Sequence, residues 1–75
     1  MYNCPIQEAV FDHFLKTDTK EICYHCETKK EFDTFAAWLS GLAINTDLGF
    51  VIIFDHFREQ LIVEKDERKL IIYQQ

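Results

Sequence analysis

Two cysteines and a histidine lie close together in Cys23-Tyr24-His25-Cys26, and side chains of these types bind metals or exchange electrons. A C-x-x-C pair can supply half of a structural zinc site, which holds four ligands. The other ligands would have to come from elsewhere in the chain, and no candidate repeats the paired spacing typical of zinc ribbons and fingers. The candidates are Cys4, His13, His25 and His56.

The alternating pattern around this pair argues against both kinds of chemistry. Ile22, Tyr24 and Cys26 share one face of a predicted strand, whereas Cys23 and His25 share the other. Residues three apart on a regular strand point to opposite faces, so the two thiols converge only at a bend or bulge. A redox dithiol would also need its first thiol at a helix N-terminus, and the next predicted helix begins after both. We therefore predict that Cys26 packs in the core, and a small zinc-stabilised module stays the alternative hypothesis.

Other catalytic arrangements are not recognisable in the sequence. Asp12-His13 and Asp55-His56 each place a carboxylate next to an imidazole, but sequence neighbours do not face each other on a helix or on a strand. Ser40 lies within a predicted helix, without the turn that presents a nucleophilic serine. Gly41 and Gly49 are the only glycines, which is too few for a phosphate-binding loop. We expect no enzyme activity, no cofactor and no small-molecule substrate.

Length and charge narrow the function classes further. The chain has 75 residues, of which 48% are hydrophobic, and a net charge of −5. This length predicts one domain, residues 1–75. The acidic balance makes nucleic-acid binding unlikely, and no apolar run approaches the ~20 residues that a membrane span needs. An odd number of cysteines and an N-terminus without a signal-peptide pattern favour a reduced, cytoplasmic setting.

Two helices follow from the hydrophobic periodicity. Pro5 is suited to the first position of a helix over about 5–16, with His13 at the core edge of its apolar stripe. Thr28 and Glu31 have the spacing of a capping box, which predicts a second helix over 29–43. The stripe of the first helix consists of Ile6, Ala9, Val10, His13 and Phe14, and that of the second of Phe32, Phe35, Ala36, Leu39, Leu42 and Ala43.

Four strands complete the predicted fold. Alternation over 20–27 indicates the first strand, and segments 50–55, 61–65 and 69–74 resemble three more. The segment after Gly49 also fits a helical stripe, and only its β-branched residues favour a strand. The expected order is α-β-α-β-β-β: an α+β domain whose antiparallel sheet carries both helices on one face.

The clearest positive signal is excess hydrophobic surface. Phe11 and Leu15 lie outside the predicted core-facing stripe of the first helix, and Trp38 lies at the edge of the second. Either the first helix is sandwiched within the fold, or Phe11 and Leu15 meet another chain, and surplus apolar surface in a soluble chain is usually covered by another chain. We expect a non-catalytic interaction protein that forms a homodimer or binds a larger protein as its modulator or inhibitor, as small phage or mobile-element proteins do. The expected interaction residues are Phe11, Leu15, Trp38, Glu8 and Asp12.

Overall fold

The computed structural model describes residues 5–74, which form two helices and four strands. In chain order these are α1 (Pro5–Lys16), β1 (Glu21–Cys26), α2 (Lys29–Asn45), β2 (Val51–Asp55), β3 (Gln60–Lys65) and β4 (Arg68–Gln74). The predicted order and the α+β class are confirmed. The segment after Gly49, which could have been helical, forms β2 because its β-branched side chains suit a strand.

The strands form one mixed sheet in the order β1-β4-β3-β2. The segment from β2 to β4 is an antiparallel meander, and β1 pairs with β4 in parallel. The expectation of a fully antiparallel sheet is therefore wrong at β1. The physical reason is the intervening helix: α2 carries the chain back across the sheet, so β1 and β2 run in the same direction at opposite edges.

At the N-terminus of α2, only the threonine half of the predicted capping box forms. The Thr28 hydroxyl accepts a hydrogen bond from the backbone N–H of Glu31 at 3.1 Å. The Glu31 carboxylate accepts from the N–H of Glu27 at 2.7 Å, one residue before the expected Thr28 N–H. Its second oxygen accepts from the Tyr24 hydroxyl at 2.8 Å, so the cap also joins α2 to β1.

The core lies between the two helices and one face of the sheet. Phe32, Phe35 and Leu39 of α2 are buried, as predicted. Every strand contributes alternate side chains to the same layer, and the buried or half-buried ones are Ile22, Tyr24, Cys26, Ile52, Leu61, Val63, Leu70 and Ile72. Both helices therefore cover the same sheet face, and the opposite face carries no helix in the described part of the chain.

The buried face of α1 is rotated from the predicted stripe. Phe11 and Phe14 are buried, together with Gln7, whereas Ile6 is half exposed and His13 is exposed. The prediction that His13 lies at the core edge is therefore wrong. Gln7, Phe11 and Phe14 follow the same helical spacing as the predicted set, and the two large aromatic rings bury more apolar area than isoleucine and alanine.

The C-terminus of α1 is held by one arginine of the sheet. Arg68, the first residue of β4, donates hydrogen bonds from Nη1 to the carbonyl oxygens of Phe14 and Thr17. Its guanidinium also lies 4.8 Å from the centre of the Phe14 ring. A positive charge at the carboxyl end of a helix is stabilising because the last carbonyl groups point there without helical partners.

Candidate protein-interaction surface

The five predicted interaction residues lie around one shallow groove between the helices. Its volume is about 180 Å³, and its lining consists of Glu8, Phe11, Asp12, Leu15, Trp38, Leu42 and Leu48. The sequence prediction thus selected side chains that are neighbours in the fold. Glu8 and Asp12 are exposed, and Asp12 forms an ion pair with Lys16 at 3.0 Å on the surface of α1.

Phe11 is not available as an exposed anchor. Only 4% of its surface is accessible, and its ring lies 5.9 Å from that of Trp38 and 5.2 Å from that of Phe50. Packing of Phe11 against Trp38 of α2 and against Phe50, the residue before β2, therefore explains the apolar character of this side of α1. Leu15 and Trp38 are half-buried beside it. Most of the apolar surface in this groove is already covered by the chain itself.

The structure separates the candidate zinc ligands. Cys26 is fully buried on the helix-covered face, and Cys23 is exposed on the other, as the alternation predicts. His25 is on the Cys23 face, while Cys4 lies outside the described residues. Among residues 5–74, no group of three His, Cys, Asp or Glu side chains is placed to hold a metal ion.

One side of the sheet has no second layer over it among residues 5–74, and we call it the open sheet face. Strand pairing places Cys23, Ile71, Ile62 and Ile53 side by side in one row across all four strands. Val51 and Ile53 are 57% and 41% exposed, whereas Ile62 and Ile71 are half-buried by their neighbours. Two further rows flank this apolar row. One consists of Glu21, Lys69, Glu64 and Val51, and the other of His25, Tyr73, Gln60 and Asp55.

An aromatic and thiol cluster occupies the β1 corner of the open sheet face. The His25 and Tyr73 rings are stacked with centres 4.5 Å apart. Cys23 Sγ and Tyr73 Oη lie 3.7 Å apart in a weak hydrogen bond, and this contact raises the pKa of the Tyr73 hydroxyl. The cluster combines an apolar body with polar tips, a combination enriched at protein interfaces.

The rim of the open sheet face carries both signs of charge. Asp55 accepts hydrogen bonds from the Arg58 guanidinium at 2.8 Å and from the backbone N–H groups of Phe57 and Arg58. These bonds, chiefly those from Arg58, lower the pKa of the Asp55 carboxyl. On the other side, Lys69 lies between two glutamates in the strand register. A phosphate backbone would require an excess of positive charge, which the described residues of this rim do not carry.

The polar cluster of Tyr24, Cys26 and Glu31 on the helix-covered face is structural. Burial, the hydrogen bond to Glu31 and its charge together raise the pKa of Tyr24 to about 12. Burial and the same carboxylate raise the pKa of the Cys26 thiol to about 11. A reactive thiol needs the opposite shift, since the thiolate is the nucleophile. Cys26 is therefore an inert core residue.

Sequence reasoning missed the open sheet face because it depends on strand pairing. The alternation in β3 and β4 is weak, since apolar residues occupy both faces: Ile62 lies between Leu61 and Val63, and Ile71 between Leu70 and Ile72. Runs of this kind indicate strands covered on both sides. In residues 5–74 the helices cover only one face of the sheet. The apolar residues on both faces of β3 and β4 were therefore the sequence signal for a second, uncovered apolar face.

Comparisons with known proteins found no significant match to a family model, to a curated protein or to a solved structure. A search of the described residues for a helix long and apolar enough to cross a membrane found none. The chemistry of the surfaces therefore carries the functional argument.

Proposed function

We propose that this chain is a small, non-catalytic protein-interaction module that binds a protein through its open sheet face and modulates that partner. The observation that carries the proposal is the apolar row Cys23–Ile71–Ile62–Ile53, which crosses the whole sheet and has no second layer over it among residues 5–74. Sheets with apolar side chains on both faces are ordinarily covered on both.

The surroundings of the row support a protein partner. An apolar centre bordered by mixed charges and aromatic rings is typical of protein interfaces, in which a few buried aliphatic and aromatic side chains supply most of the binding energy. Phe57, at the turn after β2, is a further aromatic side chain that is fully exposed. Free thiols at Cys23 and Cys26 are consistent with a reducing, cytoplasmic setting.

The proposal is tested by affinity capture from extracts of the cells that naturally make the protein. The variant Ile62→Lys with Ile71→Glu replaces the middle of the row by opposite charges that lie directly across β3 and β4. Such a cross-strand pair is compatible with the fold. The control Ile44→Glu changes an isoleucine that is 82% exposed on α2, away from the open sheet face.

We expect the wild type and the Ile44→Glu control to retain the same protein, and the double variant to lose it while its circular dichroism spectrum stays unchanged. Capture of the same protein in equal yield by the folded double variant would refute the choice of surface. Failure of the wild type to retain any protein above background would refute the interaction function itself.

A further inference from the structure

We infer that one partner of this chain is a second copy of itself, joined by antiparallel pairing of the two β2 edges into a continuous eight-stranded sheet. The inference rests on the proposed interaction function and names a partner and a contact for it. β2 is a terminal strand of the sheet, so one side of its backbone has no neighbouring strand among residues 5–74. Unpaired strand edges of this kind template pairing with other chains.

The strand β2 itself lacks the sequence features that usually protect an edge against pairing. Edge strands are normally blunted by lysine, proline, inward-pointing charge or a bulge. The residues of β2 are Val-Ile-Ile-Phe-Asp, with one charge at the very end. Val51, Ile53 and Phe54 are 57%, 41% and 44% exposed. By contrast, α1 lies beside the β1 edge, where Ala9, Val10 and His13 line a groove with β1 residues.

The sequence of the strand is self-complementary in one antiparallel register. Residues 50–54 read Phe-Val-Ile-Ile-Phe. A two-fold axis through Ile52 pairs Phe50 with Phe54 and Val51 with Ile53 of the other copy, so aromatic meets aromatic and β-branched meets β-branched. Pairs of both types stabilise neighbouring antiparallel strands. A two-fold contact requires this kind of self-complementarity, because the same patch serves both copies.

Neighbouring registers are less favourable. Side chains alternate between the two faces of the sheet. A shift of the pairing register that leaves every side chain on its own face therefore moves the two-fold axis by one residue, to Val51 or to Ile53. An axis through Val51 places Asp47 opposite Asp55, which brings like charges together. An axis through Ile53 places Val51 opposite Asp55 and loses the pairing of the two phenylalanines. The Ile52 register alone matches every apolar residue of 50–54 with another.

The geometry of this pairing also enlarges the open sheet face. The axis stands perpendicular to the sheet, so the helices of both copies lie on one side and both open faces lie on the other. The apolar rows of the two copies then meet at the dimer contact, because Val51 and Ile53 lie on the open sheet face at its β2 end. The dimer would therefore present one continuous apolar surface twice as long as that of a single chain.

Two charge variants test the register. Val51→Lys with Ile53→Lys places like charges opposite each other twice per dimer, whereas Val51→Lys with Ile53→Glu places opposite charges there. Sedimentation velocity over a range of concentrations should show a dimer for the wild type and at least roughly tenfold weaker association for the like-charge variant. The opposite-charge variant should associate about tenfold more tightly than the like-charge variant, since each contact changes from repulsion to attraction.

Two controls separate this inference from the proposed function. Ile44→Lys, which places a charge on α2, and Ile62→Lys with Ile71→Glu, which lies in the centre of the open sheet face, should both leave dimerisation unchanged. A wild type that is monomeric at all concentrations would overturn the inference, yet capture of a different protein would still support the interaction function. Equal association of the two charge variants would overturn the register.

Hydrogen exchange of the wild type tests the contact without any substitution. On dilution from a concentration at which the dimer forms, the amides of Val51–Asp55 should exchange faster, while those of β1 should not change. Protection of β2 that is independent of concentration would overturn the inference even if the charge variants fail to fold.

Discussion

Replacement of Arg68 by alanine should destabilise the fold through the end of α1, although Arg68 lies at the start of β4. The substitution removes two hydrogen bonds that a charged group donates to the carbonyls of Phe14 and Thr17. It also removes the guanidinium from its position 4.8 Å from the Phe14 ring centre. Hydrogen bonds to charged groups contribute about 1.5–3 kcal/mol each when buried, and an exposed cation–π contact about 0.5–1 kcal/mol.

Partial exposure of Arg68 reduces these values, so we expect Arg68→Ala to lower the free energy of unfolding by about 2–3 kcal/mol. In a domain of this size that corresponds to a decrease in Tm of roughly 8–24 °C. Thermal unfolding followed by circular dichroism measures it directly. Arg68→Lys keeps the charge but not the planar guanidinium over the Phe14 ring, and should lose about half as much.

The matched control is Lys69→Ala, which removes an exposed positive charge from the adjacent residue. Its effect should stay within about 0.5 kcal/mol, as for ordinary surface substitutions. The reasoning is refuted if Arg68→Ala unfolds cooperatively with a Tm within about 2 °C of the wild type, or if Lys69→Ala destabilises the protein as much.

Three further predictions concern the core and the backbone. Because the pKa of Tyr24 is raised to about 12, its hydroxyl should ionise well above pH 10 in an absorbance titration. The free energy of unfolding should fall from pH 10 to 12, since the folded state keeps a proton that the unfolded state releases; an unchanged late titration in Tyr24→Phe would contradict this. In the folded protein, alkylation mapped by mass spectrometry should modify exposed Cys23 well before buried Cys26, and equal rates would contradict the inert core position. Gly41→Ala should stabilise the protein by about 0.5–1 kcal/mol, since no described neighbouring atom lies within 4 Å of the added methyl group. Gly49→Ala should instead destabilise it by about 1 kcal/mol, because φ is +72° there. Denaturant unfolding measures both free energies, and a shift of the two variants in the same direction would refute the reasoning.

Local patterns predicted the elements well because their causes lie within a few residues. The Thr28 cap and the apolar spacing of Phe32, Phe35 and Leu39 define α2 without help from the rest of the chain. The alternation of Cys23 and Cys26 likewise placed the two thiols on opposite faces. Each of these depends on helical or strand periodicity, which the sequence carries directly.

The failures concern contacts between distant segments. The orientation of β1 depends on where α2 delivers the chain, and no residue of β1 encodes a parallel partner. On α1, both faces carry apolar residues, so the choice of Phe11 over Ile6 as the buried side is made by the surfaces of α2 and the sheet. The open sheet face follows from the assembled register of four strands, which periodicity alone does not give.

The parallel pairing of β1 with β4 has a consequence for the order in which the fold forms. β2, β3 and β4 are joined by short turns, and the turn between β3 and β4 has positive φ at Asp66 and Glu67, as tight hairpins do. Contacts between β1 and β4 instead close a long loop, since Cys23 and Tyr73 are 50 residues apart. Loop closure of that length slows folding, so the meander with α2 should form early and β1 should dock last.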